Sequence, residues 1–208
     1  MADLLIELVS EEIPARMQGG ASCNLARLLE TALSSLGVWN DTSTITGLCA
    51  PRHLIAYATN IVTSQPDKII EKRGPRIDAP EDAIAGFLKS AGIERSALIE
   101  KDTPKGRFFF ARSELKGMKT EDFLAPTITE LLDQFPWPKS QRWGGGKFRW
   151  VRPLHRINLV FDGKPITGAL DLGNGEQIEF GATSCGHYFE APDDIDLSDA
   201  TSLDDVKT

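Results

Sequence analysis

The sequence predicts an α+β fold, with mixed or antiparallel sheets and helices packed on one side, in two small subdomains. Three observations predict it. The run Leu4-Leu5-Ile6-Glu7-Leu8-Val9 reads as a buried strand. A helical stripe follows, then two strand-like runs rich in Ile, Val, Thr and Tyr, so helix and sheet are segregated in the order β-α-β-β. Near the end, Asp162-Gly163 and Gly173-Asn174-Gly175 punctuate further strand-like runs as hairpin turns do.

Taken in order, Pro14 suits the first turn of a helix. Leu25, Leu28, Leu29, Ala32, Leu33 and Leu36 then recur at three- and four-residue steps, and Gly37 is a natural stop. Gly19-Gly20 is expected to break or delay that helix. Strands are expected over 42–48 and 54–63. The loop between them, Cys49-Ala50-Pro51-Arg52-His53, holds two groups that bind anions. The polar stretch 65–80, centred on Arg73-Gly74-Pro75-Arg76, predicts an extended connection. Pro80 opens a short helix whose face is Ile84, Phe87, Leu88 and Ala91, closed by Gly92. A strand over 107–112 precedes the stripe Leu124, Ile128, Leu131, Leu132 and Phe135, which Pro136 and Pro138 end. Leu154–Phe161 reads as a strand, 166–172 as its return, and 177–180 as another. The boundaries expected are 1–65 for an N-terminal α+β unit and 66–138 for a connection with helical and strand segments. A β-rich segment with a basic aromatic loop fills 139–190, and 191–208 is an acidic segment leading into a longer chain.

No apolar run approaches the roughly 20 residues of a membrane helix. The first residues carry acids and no basic region, so a cytoplasmic location is expected, with no membrane partner. Cys23, Cys49 and Cys185 are too scattered for a disulfide framework, and none forms a CxxC pair, so no metal site is expected. Of the net charge of −7, residues 190–208 carry −6, which leaves −1 for residues 1–189. Within that near-neutral body, residues 139–156 hold Lys139, Arg142, Lys147, Arg149, Arg152 and Arg156 with no acid. Such local density can meet phosphates whatever the overall pI.

Chemistry-bearing patterns are few. Trp143-Gly144-Gly145-Gly146-Lys147 is glycine-rich but lacks both GxxxxGK[ST] and GxGxxG, so it reads as a turn between strands rather than a phosphate cradle. Arg142, Lys147, Arg149 and Arg152 alternate with Trp143, Phe148 and Trp150. Charge and flat rings together suit unstacked RNA; equally, the rings can be core with the cations snorkelling around them. His155, His187 with Cys185, and Cys49 with His53 have no ligand spacing and no sign of a thiolate–base pair. Glu7, Glu11 and Glu12 read as solvent-facing or paired with arginines such as Arg16 and Arg52. No catalytic set emerges.

Six segments add a resemblance. They are Glu7-Leu8-Val9-Ser10-Glu11-Glu12-Ile13-Pro14; Ala50-Pro51-Arg52-His53-Leu54; Arg73-Gly74-Pro75 with the helix from Ala83 to Phe87; Gln141-Arg142-Trp143-Gly144; Trp150-Val151-Arg152-Pro153-Leu154-His155-Arg156; and Gly181 to Phe189 around Gly186-His187. In this order and spacing the chain resembles the beta subunits of bacterial glycyl-tRNA synthetases. It departs from their pattern at His53 and Tyr188, where an arginine is usual, and at Arg156, where an aromatic is usual. The resemblance implies an α2β2 enzyme that joins glycine to tRNA-Gly with ATP and Mg2+, bound through the alpha subunit. It implies a beta subunit several times longer than this chain that binds tRNA, with no catalytic residue or cofactor here and no DNA partner. The residues it points to for tRNA are Arg142, Trp143, Lys147, Arg149, Trp150, Arg152, His155, Arg52 and Arg73. Glu7, Glu11, Glu12, Pro14 and His187 are expected as structural motif residues. Two alternatives stand beside tRNA binding: a module that docks against the alpha subunit, and an editing-like hydrolytic domain in which His155 or His187 meets a polar partner in a pocket.

Overall fold

The structure, a computed structural model, describes residues 1–104, 106–186 and 193–198. The fold is α+β, and the chain forms two compact units, one from residues 1–65 and 118–208 and one from residues 66–117.

The larger unit is a mixed sheet. Its first strand β1 (Ala2–Ser10) lies between β3 (His53–Ile61) and β7 (Leu154–Phe161), antiparallel to both; β2 (Thr44–Cys49) pairs outside β3. α1 (Ala15–Ser35) buries Met17, Ala21, Leu25, Leu29 and Leu33, one residue per turn. These meet Leu4, Ile6 and Leu8 of β1 in a single core, because alternate strand residues point to one face. Contrary to expectation, Gly19-Gly20 neither breaks nor delays the helix. Both glycines face open space while Met17 and Ala21 hold the segment against the sheet. That packing outweighs roughly 1 kcal/mol of lost propensity per glycine. Gly37 ends the element with φ 75°.

The other α-helices among the described residues are α2 (Glu81–Ala91) and α3 (Thr120–Asp133). α3 packs beside α1 and adds Phe123, Leu124, Ile128 and Leu132 to the same core, so both helices of this unit lie on one sheet face. Asp162 (φ 52°) and Gly163 (φ 71°) form the expected turn after β7, with the positive φ values a two-residue hairpin requires. The returning chain pairs with β7 only through β8 (Lys164–Pro165). Residues 166–172 were expected to continue that hairpin. Instead β9 (Ala169–Gly173) pairs with β10 (Glu176–Gly181), and β10 joins β7 in parallel with Phe180 opposite Ile157. The opposite sheet face carries Leu5, Ile55, Tyr57 and Val160 with Leu197. β11 (Thr183–Cys185) and β12 (Asp194–Asp196) pair antiparallel.

In the smaller unit β4 (Lys68–Arg76), β6 (Gly106–Leu115) and β5 (Leu98–Thr103) form an antiparallel sheet in the order β4-β6-β5, with a 3-10 turn over Arg95–Ala97. The expected connection over 65–80 is therefore largely a strand. Its charged residues are tolerated on an edge, and Pro75, which has no N–H, falls where the register shifts between Arg73 and Arg76. α2 lies on one face, with Ile84 buried and Gly92 in the left-handed region at φ 65°. Phe87 covers Gly74 so closely that a Cβ there would lie 2.5 Å from the ring. No helix among the described residues is long and apolar enough to cross a membrane.

Candidate functional site

The end of β1 gathers three segments far apart in sequence. Ser10 N–H donates to Arg52 O (2.9 Å), Glu11 N–H to Pro153 O (2.9 Å) and Ile13 N–H to Pro51 O (2.5 Å). Satisfying these main-chain groups clamps 10–14 between the β2–β3 loop and the entry to β7. Around the clamp opens a cleft of about 820 Å³ lined by Glu11, Glu12, Pro14, Gln18, Arg52, Gln141 and Arg152, among others. Both signs of charge line it. Arg52 Nε donates to Ser10 O (3.3 Å), which aims its guanidinium along the cleft wall. His155 Nε2 donates to Glu11 Oε1 (2.7 Å). That bond, with the charges of His155 and Arg52, holds the Glu11 carboxyl below its ordinary range. The expected pairing of these acids with arginines is thus replaced, at Glu11, by a histidine.

Glu7 is corrected more sharply. It points to the opposite sheet face and is buried. Its Oε1 accepts from His53 Nδ1 (2.9 Å) and Ser184 Oγ (2.7 Å), and its Oε2 from Asn158 Nδ2 (2.7 Å). Burial alone would raise its pKa. The hydrogen bonds from His53, Ser184 and Asn158, with the charge of His53, outweigh that and bring it below the ordinary carboxylate value. Asn158 also donates to Thr183 O (3.0 Å) and accepts from Thr183 N–H (3.2 Å). Arg156, one of the six cations of the basic stretch, is committed to Asp194 Oδ1 (2.9 Å). Five strands, β1, β3, β7, β11 and β12, are thereby tied by polar groups. Asn158 and Ser184 were not anticipated. The available signal was Glu7 itself, a carboxylate inside an apolar strand, which requires buried donors.

The loop 139–152 divides its residues by chemistry. Gln141 and Trp150 exchange backbone hydrogen bonds (2.8 and 3.1 Å), pinching it closed. Trp150 is fully buried, with ring centroids 5.0 Å from Phe135, 5.0 Å from Trp137 and 5.8 Å from Phe148; Trp143 meets Phe148 edge-on at 5.9 Å. Trp150 therefore takes the core reading, with no face open to a base, and Trp143 stays half-buried at the end of the ring stack. Lys139, Arg142, Lys147, Arg149 and Arg152 are all exposed. Arg149 is steadied by Ser140, its Nη2 donating to the backbone O (3.1 Å). The two amides that follow the glycine run are taken by the protein itself: Lys147 N–H and Phe148 N–H both donate to Leu172 O (2.7 and 3.2 Å). A Cβ on Gly146 would lie 2.4 Å from that oxygen, so close backbone approach explains the glycine.

Of the remaining expected site residues, Arg73 lies in the 66–117 unit, its guanidinium 3.7 Å over the Phe108 ring. His187 lies outside the described residues. His155 meets a polar partner beside the cleft, as the editing reading required, but no nucleophile joins the pair among the described residues. Ser184 is bonded to Glu7, and burial pushes the Cys49 thiol up to about 11. Among the described residues no three His, Cys, Asp or Glu side chains come together as a metal site requires.

Comparison with known proteins places the sequence in a family. The family model described as glycyl-tRNA synthetase beta subunit matches residues 4–206. The chain is 38% identical to the glycine–tRNA ligase beta subunit of Rhodospirillum centenum, over 100% of this chain and 31% of that protein. It is 40% identical to that of a Ruegeria species, over 92% of this chain and 28% of that one. The same identity holds for Paracoccus denitrificans, over 95% and 28%. The chain thus spans less than a third of the length of these curated relatives.

Proposed function

Since this chain belongs to the glycyl-tRNA synthetase beta subunit family, we propose that it is the amino-terminal region of a glycine–tRNA ligase beta subunit and that it holds tRNA-Gly. In this reading the alpha subunit of an α2β2 assembly binds ATP and Mg2+ and forms the activated glycine. The described chain supplies phosphate contacts and orientation, which position a nucleic acid without reading its sequence. One observation carries it: the 139–152 loop buries Phe148 and Trp150, keeps Trp143 half-buried against them, and turns Lys139, Arg142, Lys147, Arg149 and Arg152 outward, with no acid between residues 139 and 156. Arg52 and Arg152 carry cations on into the neighbouring cleft, where they share the wall with Glu11 and Glu12.

The test is tRNA-Gly binding by the assembled enzyme across a salt series, wild type against an R149E/R152E double variant. Weaker binding with a shallower salt slope is expected, since two phosphate contacts are lost. Unchanged affinity and slope would sink the proposal. A second reading, docking on the alpha subunit, is favoured by Ile70 (46% exposed) and Leu115 (56% exposed), diagonal neighbours on the β4–β6 pair. Loss of alpha-subunit co-purification on I70S/L115S substitution would support it.

A further inference from the structure

The register of the three-stranded sheet sorts its residues onto two faces. Lys72, Ala111 and Leu98 align across one face, and Arg73, Phe110 and Ile99 across the other. The first face is the one α2 covers: Phe109, Ala111 and Ile84 are buried there and Phe87 lies on Gly74. On the second face no element of the 66–117 unit packs among the described residues. Ile69 remains 52% exposed and Ile99 36%. Its centre is Phe108 and Phe110 on the middle strand, half-buried, with Arg73 3.7 Å over the first ring and Lys101 Nζ 5.6 Å from the second. Arg112 continues the row beyond Phe110, with Glu71 opposite it on β4. Glu71 also accepts from Lys101 Nζ (2.5 Å), and Glu114 lies on the same face. Among the described residues, Arg73 and Arg112 are the cations there outside an ion pair.

Charge points the same way. Residues 66–117 hold eleven lysines and arginines against nine acids, whereas the rest of the chain holds twelve against twenty-one. This small unit is net positive inside an acidic protein. An open antiparallel sheet face with two aromatic rings on its central strand and cations on both flanks has the chemistry that binds unpaired nucleotides. Rings and guanidinium planes stack bases, and the flanking charges meet the phosphates between them. Aromatic rings and arginine are equally at home in protein interfaces, where lysine is depleted. What favours a polyanion here is the net positive charge of the unit together with Lys101 beside the rings.

We propose that this face, through Phe108, Phe110, Arg73 and Arg112, binds single-stranded RNA. The proposal deepens the tRNA-binding reading by assigning unpaired nucleotides to the 66–117 unit, apart from the arginines of the 139–152 loop. The test uses the assembled full-length enzyme and fluorescent single-stranded RNA octamers, with a blunt RNA duplex as control, read by anisotropy at low salt. The variants are F108L/F110L, which keeps apolar volume but removes the stacking faces, and R112E, which leaves the rings intact. Circular dichroism and alpha-subunit co-purification check folding and assembly. F108L/F110L, which loses both stacking rings, is expected to bind the octamer at least about ten-fold more weakly, and R112E, which loses one phosphate contact, about ten-fold, while duplex binding is unchanged. Wild-type octamer affinity in both folded variants overturns the proposal. So does loss of the alpha subunit with octamer binding intact, which makes the face a protein-docking surface. An R149E/R152E enzyme separates the two readings: if it loses tRNA-Gly while the sheet-face variants bind the octamer normally, the loop reading stands and this one falls.

Discussion

The 139–152 loop and the strand Gly106–Leu115 are built from the same residue types, aromatics set among arginines and lysines, and they settle differently. In the loop, Trp150 and Phe148 sink into a ring stack shared with Phe135 and Trp137, leaving the cations alone at the surface. On the strand, alternate residues leave opposite sides of the sheet. Phe109 is buried beneath α2, while Phe108 and Phe110 stay on the open face under their own cations. The difference lies in what is available to bury. The large unit offers two helices and a mixed sheet, the small one a single short helix. An aromatic beside an arginine is therefore a binding signal only where the fold has no core left to put it in.

Substitution at the two kinds of ring tests that contrast most strongly. Trp150→Ala should destabilise the protein by about 3–5 kcal/mol, as a fully buried aromatic does. Phe110→Leu should cost less than about 1.5 kcal/mol. Urea unfolding of the two variants measures both, and equal losses would erase the distinction. A smaller effect is expected at Glu7, which has no buried acidic counterpart among the described residues of the small unit. Glu7→Gln puts an amide where three donors converge and should cost about 1–3 kcal/mol at neutral pH. The sign of its pH dependence follows from a folded-state pKa below the ordinary value of 4.5. The stabilisation is complete above that value and is lost as pH falls through the lower folded-state pKa. Wild type should thus lose stability in acid more steeply than Glu7→Gln, and parallel curves in an acid series would rule the mechanism out. The smallest effect is at the loop's exposed cations. The R149E/R152E enzyme should keep its unfolding midpoint to within about 0.5 kcal/mol per substitution while losing tRNA affinity. A large stability loss would mean these arginines hold the loop rather than serve a ligand.

Local pattern carried much of the fold. The apolar run of β1, the leucine stripe of α1, Pro80 and Gly92 around α2, and the Asp162-Gly163 turn all stand where periodicity and turn chemistry put them. β4 did not show, because a largely exposed edge strand interrupted by Gly74-Pro75 has neither an apolar run nor clean alternation. β5, with Glu100, Lys101 and Asp102 among its six residues, hides for the same reason. Of the candidate site, the cations of 139–152 were legible as a group, but their separation from the rings was not. Both readings of an alternating aromatic–cation stretch stayed open until Trp150 was found in the core.

By itself the sequence determined the α+β class, the order of most elements and the family, since these reside in short-range periodicity and in motifs read along the chain. Tertiary structure alone decided that Glu7 is buried beneath His53, Asn158 and Ser184, and that Ser10–Pro14 is clamped between Pro51 and Pro153. It also decided that Phe108 and Phe110 are left uncovered by α2. The partners of Glu7, for instance, lie 46 to 177 residues away along the chain. Hydrogen-bond satisfaction and burial act on what is near in space, and nothing in local pattern encodes which distant residue will be near.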